Sequence, residues 1–414
     1  MSRSNILIGI DIGSSLIRTV ISQKQGGESK PLILGVGIAP SLGVNNGVIV
    51  DIEETISAIN KSKELAEQTS GVPVEHAFIS INGSHLSSQP SKGVVAVSRA
   101  DGEISEEDIA RVINASQAIS MPSNKEIIAV IPCNYIIDEQ DQIKDPMGMN
   151  GVRLEVSSLV IEGMAPFIKN LSKCVQRAGI DIDDLVFSPL AAAKSVLTKR
   201  QKELGVVVID IGKGTTGVSV YEDGNILHSV VIPIGSGHIT NDIAIGLRIS
   251  IDLAEKIKLE YGTVKSKELA KKDKIDISKI DSNEEGIFTR KYLAEIIEAR
   301  VEEIFFIVDK ELKKIDKSGM LPAGSVLTGG GAKMQGMVSM AKEKLRLPSQ
   351  IGIPTELNGI IDKVDDPSFA TVIGLIMWET DENGVFVQQD SGLKMPHLRD
   401  ILQKIRGVFK TFLP

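Results

Sequence analysis

Residues 206–217 read VVVIDIGKGTTG, and residues 6–15 read ILIGIDIGSS. Each is an apolar run of strand length that ends in an aspartate and then breaks into a turn rich in glycine and hydroxyl side chains. The first turn holds Asp11, Gly13, Ser14 and Ser15; the second holds Asp210, Gly212, Lys213, Gly214, Thr215 and Thr216. A further strand-like run follows each, at 16–22 and 218–221. One such unit built twice into a chain indicates a duplicated α/β domain. Glycine lets the backbone turn tightly and bring its N–H groups close to an anion, and the Ser and Thr hydroxyls add donors. A single turn of this kind often serves hairpin geometry alone. Two at equivalent places, with a third glycine cluster at 326–334 (VLTGGGAKM; Gly329, Gly330, Gly331, Met334), point to phosphates held by the first two and a purine or ribose lying on the third. Asp11 and Asp210 suit Mg²⁺ held through water, since this cation keeps much of its hydration.

The chain is 414 residues long, enough for two or more domains, and 42% hydrophobic, which excludes general disorder. Its two cysteines, Cys133 and Cys174, form no CxxC pair, and its five histidines are scattered, so a zinc site is not expected. Cys174 falls on the apolar side of a helical stretch with Phe167, Ile168, Leu171 and Val175 and reads as a buried thiol. No secretory leader is expected at the start, and the apolar run 369–378 (FATVIGLIMW) is well short of the ~18 residues a membrane span requires. These features predict a protein on the cytoplasmic side of a membrane.

The C-terminal residues change the charge. Leu398, Ile401, Leu402, Ile405, Val408, Phe409, Phe412 and Leu413 recur at helical spacing, while Arg399, Lys404, Arg406 and Lys410 lie mostly off that stripe. Four basic residues against Asp400 put the segment at +3, leaving −11 on the rest of a chain whose formal charge is −8. An acidic body lacks the basic surface that nucleic acid needs. A basic amphipathic helix is drawn to anionic lipid by roughly 1 kcal/mol per Lys or Arg near the headgroups. The same pattern also suits a helix docked on its own domain. Residues 381–396 (DENGVFVQQDSGLKMP) read as a flexible tether, which would let the helix reach a separate surface or fold back.

The order of the glycine loops resembles the actin, heat-shock chaperone and sugar kinase superfamily, whose two domains close around ATP. That resemblance implies that the first two loops grip the phosphates and that the GG-containing loop faces the adenosine. It also implies that Glu255 and Lys258, one helical turn apart, lie on the adenine and ribose contact helix, with Gly235 and Gly237 at the strand end before it. Without the resemblance the Glu255–Lys258 pair would read as a surface salt bridge. Residues 131–154 (IPCNYIIDEQDQIKDPMGMNGVRL) and 185–198 (LVFSPLAAAKSVLT), with the tethered basic tail, resemble the FtsA family of bacterial cell-division relatives of actin. The family implies an actin-like duplicated two-domain ATPase fold of α/β class, with an inserted small α/β subdomain and a C-terminal amphipathic helix. It implies binding of ATP and Mg²⁺, self-assembly into filaments, and attachment of the tubulin-like division protein FtsZ, through its C-terminal tail, to the membrane, where later division proteins are recruited.

On that basis residues 1–83 and 163–195 form the first domain, with 84–162 inserted and 367–380 returning to it. Residues 196–366 form the second, with a helical subdomain at about 240–305; 381–396 is a linker and 397–414 the membrane helix. Within the insert, strands are expected near 94–97, 126–137 and 153–161, and a helix from Ser105 with Asp108 completing a cap. Residues 291–312 should form a helix with Leu293, Ile296, Ile297, Val301, Ile304, Phe305 and Val308 inward. The family resemblance makes its Arg300 and Glu303 candidates for receiving the FtsZ tail; on periodicity alone they are solvated charges.

Ser188 stands where related ATPases commonly carry a water-orienting carboxylate, and a neutral hydroxyl is a poor base. Gly217 replaces an aspartate of the chaperone loop, and Lys213 a glycine; Lys213 would add a cation beside the phosphates. Slow hydrolysis at most is expected. Two alternatives share the fold: a small-molecule kinase, which needs a base aimed at an acceptor hydroxyl, and a PilM-like pilus adaptor, which has no expected need of the basic tail.

Overall fold

The computed structural model describes residues 5–24, 30–270, 272–281, 284 and 286–378. The linker 381–396 and the amphipathic segment 397–414 lie outside the described residues. The chain opens with the hairpin β1 (Ile6–Ile12) and β2 (Leu16–Gln23), continues through β3 (Leu32–Pro40) and the short pair β4 (Val44–Asn45) and β5 (Val48–Ile49), and enters α1 (Ile52–Ser70). Asp51 caps α1 by accepting the Glu54 amide at 3.0 Å, and Gly71 ends it in the left-handed region at φ 71°. Ile56, Ile59 and Ala66 face the sheet, where the Thr19 and Ser62 hydroxyls are hydrogen-bonded at 2.9 Å and so satisfied inside the core.

After β6 (His76–Ile81) comes a separate small unit: β7 (Leu86–Ala96), α2 (Glu106–Ser116), β8 (Lys125–Ile137), β9 (Gln140–Ile143) and β10 (Arg153–Met164). Its antiparallel sheet runs β7-β10-β8-β9, and Val112, Ile113, Val130, Leu154, Val156 and Val160 form a core of their own. The reciprocal cap read at Ser105 and Asp108 is present, with Asp108 also paired to Arg111. Those contacts hold the fully buried Asp108 well below the usual carboxylate range although burial alone would raise it.

The chain returns through α3 (Ala165–Arg177), which buries Cys174, and β11 (Asp181–Phe187). The first large sheet is then ordered β11-β6-β1-β2-β3, and a short strand supplied late in the chain adds beside β3. Helices α4 (Ser188–Val196) and α5 (Lys199–Leu204) lead to the second sheet, which starts as the first does: β12 (Val206–Ile211), β13 (Thr216–Glu222) and β14 (Asn225–Ile232). Helices α6 (Ser236–Leu247) and α7 (Ile251–Tyr261), the small pair β15 (Lys274–Asp276) and β16 (Ile287–Thr289), and the long α8 (Arg290–Lys314) follow. Then β17 (Ser325–Thr328), α9 (Met337–Leu345) and β18 (Ser349–Ile351) complete the order β14-β13-β12-β17-β18. β19 (Asn358–Gly359) and α10 (Ala370–Ile376) return to the first sheet. The apolar run at 369–378 is thus explained by burial: α10 is covered on all sides, with every residue from Ala370 to Ile376 inside. Among the described residues no helix is long and apolar enough to cross a membrane.

Candidate functional site

The duplicated hairpins put one aspartate from each domain at the boundary between them. Asp11 and Asp210 are the next-to-last residues of β1 and β12, and the two are near enough that the charge of Asp11 pushes the Asp210 carboxyl up. Asp11 Oδ1 accepts the Ser80 hydroxyl at 2.8 Å, and Ser80 Oγ in turn accepts the Ile12 amide at 2.9 Å. In the β1–β2 register Asp11 stands opposite Arg18, whose Nη1 is 3.8 Å from Asp11 Oδ2. The guanidinium also lies over the Phe369 ring, 5.3 Å from its centre. Burial raises Asp11 above the ordinary value, against the opposing pull of Arg18 and Ser80. Asp210 is pushed to about 6, first by burial and then by Asp11; the Thr371 hydroxyl, 3.1 Å from its Oδ2, and Arg18 offset part of this.

The loops beyond the aspartates come together. Ser14 Oγ accepts the amide of Gly47, in the β4–β5 turn, at 2.9 Å. From the other domain a Cβ on Gly214 would lie 2.7 Å from Asn46 Cα in the same turn, so the two backbones touch. Asn82 Nδ2 donates to Thr215 Oγ1 at 3.1 Å, and Thr216 Oγ1 donates to the Ile234 carbonyl at 2.7 Å. Gly13 and Ser15 fill the first turn. Gly212 and Lys213 pack on the start of α6: their carbonyls accept the Ser236 and Gly237 amides, each at 2.8 Å, and a Cβ at Gly235 or Gly237 would strike them. These helix N–H groups are therefore occupied by the loop itself.

Glu255 and Lys258 on α7 point back to the same helix start. Lys258 is buried; its Nζ lies 2.7 Å from Glu255 Oε2 and donates to Thr240 Oγ1 at 2.8 Å and to the Ser236 carbonyl at 3.3 Å. Burial lowers its pKa, with Lys213 adding repulsion and Glu255 opposing both. A pair that reads as a surface salt bridge is thus half inside, within electrostatic reach of Lys213. The third glycine cluster closes the other side. Gly329 sits at φ 81°, and a Cβ there would be 2.2 Å from Asp210 Oδ1 and close to the Ile211 carbonyl, so both conformation and contact require glycine. Gly331 is held against Ile211, whereas Gly330 has only Ser368 Cβ at 4.0 Å and faces open space; Met334 packs on the second core.

Ser188 is placed at the first turn of α4, buried, and donates to the Ile81 carbonyl at 3.0 Å. Its hydroxyl proton is aimed into the first domain. Pro189 beside it explains Gly217, where a Cβ would lie 2.9 Å from Pro189 Cγ. Arg300 is set apart from these loops: its Nε and Nη2 fork onto Asp242 of α6 at 2.6 and 2.9 Å, and Nη1 contacts Glu303 at 2.5 Å. The sequence reading did not identify Ser80, Thr371, Asn82, Asn46 or Arg18. Of these only Arg18 had a local signal, since a tight turn after Asp11 puts residue 18 across the hairpin from it. Among the described residues no group of three or more His, Cys, Asp or Glu is arranged to hold a metal.

Comparison with known proteins accounts for both the two-domain body and the insert. Residues 207–374 match the family model "Cell division protein FtsA", and residues 83–162 match the SHS2 domain inserted in that family. The cell division protein FtsA of Bacillus subtilis is 39% identical over 396 residues, covering 96% of this chain and 88% of the relative. That of Pseudomonas aeruginosa is 36% identical, covering 90% and 89%, and that of Borreliella burgdorferi 35%, covering 99% of both. Among solved structures, the PilM-PilN type IV pilus biogenesis complex superposes with a TM-score of 0.66 at 15% identity, covering 91% of this chain and 98% of that one. MreB5 of Spiroplasma citri bound to ADP gives 0.52 at 13% identity, covering 91% and 97%. The structural likenesses carry the fold and the sequence relatives carry the family: the chain belongs to the FtsA family of cell-division proteins, on an actin-like two-domain body.

Proposed function

We propose that this FtsA-family protein binds ATP with Mg²⁺ between its two domains, assembles on the cytoplasmic face of the cell membrane at the division site, and ties FtsZ filaments to it, receiving later division proteins there. The observation that carries the nucleotide part is the convergence of Asp11 and Asp210, one from each domain, among three glycine loops. Two carboxylates raised by burial suit a divalent cation that keeps water and takes its remaining ligands from phosphate. Bound there, the cation would supply charge to the phosphates. Asp11 and Asp210 would hold its water, Ser80 and Thr371 would orient their carboxyl groups, and Lys213 and Lys258 would face the anion from the second domain. The open face of Gly330 fits an adenosine laid flat. Ser188, a neutral hydroxyl tied to the Ile81 carbonyl, supplies no carboxylate base, which supports hydrolysis far below the ~10 s⁻¹ of ordinary enzymes.

Support for membrane attachment comes from the sequence of residues 398–414, whose apolar stripe and net positive charge fit an anionic lipid surface. Titration with a fluorescent ATP analogue, with and without Mg²⁺, tests the first part; absence of saturable Mg²⁺-dependent binding sinks it. Co-sedimentation with vesicles containing anionic lipid tests the second, comparing the full chain with one truncated after Met395. Equal sedimentation of the two would remove the tether.

A further inference from the structure

The inserted sheet is rooted in the first domain, between Asn82 and Leu86 and again at 163–165, yet it also holds the second domain. Ser88 Oγ on β7 donates to the Ser229 carbonyl at 2.5 Å, and Cys133 Sγ on β8 donates to the Ile226 carbonyl at 3.3 Å. Both acceptors belong to β14, an outer strand of the second sheet and thus open to a neighbour along its edge. These neutral donors, one of them a thiol, are individually weak, and they sit at the margin of an apolar contact in which Ile226 and Val231 share a buried cluster with Leu86 and Ile128 of the insert.

The two domains also meet at the loops, where Gly214 touches Asn46 and Asn82 bonds Thr215; within the first domain Ser14 fixes the Asn46–Gly47 turn. A phosphate chain seated between Asn82 and Thr215, or between Gly214 and Asn46, would have to part these contacts. Asn82 is the last residue before the root of the insert, followed by Gly83 at φ 125°, and Gly83 in turn packs against Gly47 and the ring of His85. Movement at the loop contact is delivered within four residues to the first strand of the insert.

Building on the nucleotide reading above, we propose that the insert is a latch between the domains. Phosphate entry that parts Asn82 from Thr215 also frees Ser88 from Ser229 and Cys133 from Ile226, so that nucleotide occupancy sets where the insert stands. The insert then presents a different outer surface in loaded and empty protein.

Cys133 provides the readout, because burial pushes its thiol up to about 11 and it should react slowly while latched. The full-length protein is treated with N-ethylmaleimide, and alkylation of Cys133 and of core Cys174 is followed separately by peptide mass spectrometry, with and without saturating Mg-ATP. Fluorescent ATP binding is measured on the same samples. Cys133 is expected to react at least about threefold faster with nucleotide bound, Cys174 remaining unreactive as a control for unfolding. Ser88→Ala should raise the rate without nucleotide. Bound nucleotide with an unchanged Cys133 rate overturns the coupling, and an unaffected rate in Ser88→Ala overturns the latch itself. If the analogue does not bind, the nucleotide reading fails and the coupling with it, while the Ser88→Ala comparison still decides whether the insert is held.

Discussion

Asp210 carries an unusual cost in the empty protein. An unfolded chain would ionise it near the ordinary value of 3.8, whereas burial and Asp11 hold it to about 6. Between those values the folded state binds more protons than the unfolded state, so stability without ligand falls as pH rises through about 4 to 6, by up to about 1.4 kcal/mol per pH unit. Asp11 acts in the same direction. Denaturant titrations of ligand-free protein at pH 4.5 and 7 should therefore show the lower stability at pH 7 from this site. Asp210→Asn removes the buried charge and should stabilise the empty protein at pH 7 by about 2 kcal/mol, while weakening Mg-ATP binding about tenfold or more. A variant that both destabilises and leaves binding intact would contradict the assigned role. By contrast, Ser188→Ala loses one buried hydrogen bond to Ile81, costing about 1 kcal/mol. Nucleotide affinity should not change.

At the scale of elements, α8 shows what periodicity reveals and what it conceals. Its inward face was readable from helical spacing: Leu293, Ile297, Val301, Ile304, Phe305 and Val308 are buried, and Ile296 is half-buried against the same core. The cap of α2 was readable because Ser105 and Asp108 act within one turn. Arg300 was not, since its partner Asp242 lies on α6 and only the packing of two helices unites them. Arg300→Ala is accordingly expected to cost about 1 kcal/mol in a thermal or denaturant melt, and Glu303→Ala close to nothing. If FtsZ docks on this helix, Glu303→Ala isolates the effect on binding, whereas loss in Arg300→Ala has to be separated from loosened α6–α8 packing by its melt. The loops follow the same rule. The glycine motifs announced themselves in sequence, but Ser80 and Thr371, distant in the chain from the carboxylates they orient, carry no local mark.

For the whole molecule, the proposed function makes attachment a joint product of the tail sequence and assembly. In general a single basic amphipathic helix binds lipid modestly, and presenting many on one polymer would add avidity. Phe409→Glu or Phe412→Glu should shift most of the protein from the vesicle pellet to the supernatant, with fluorescent ATP binding retained. Loss of both together would contradict this division of labour.

The insert begins and ends side by side: Leu86 on β7 stands opposite Gly163 on β10. A segment whose two ends meet can be spliced in or out of a host without displacing the strands around it, which makes this unit a cassette. It also has a private core, so residues 84–164 expressed alone should give a cooperative melt. Yet Leu86, Ile128, Leu159 and Ile161 belong to the core shared with the host and would be left bare. The excised piece would therefore keep its melt while exposing an apolar face that favours self-association as its concentration rises: the cassette is portable in fold, and bound to its host by the one face it cannot cover.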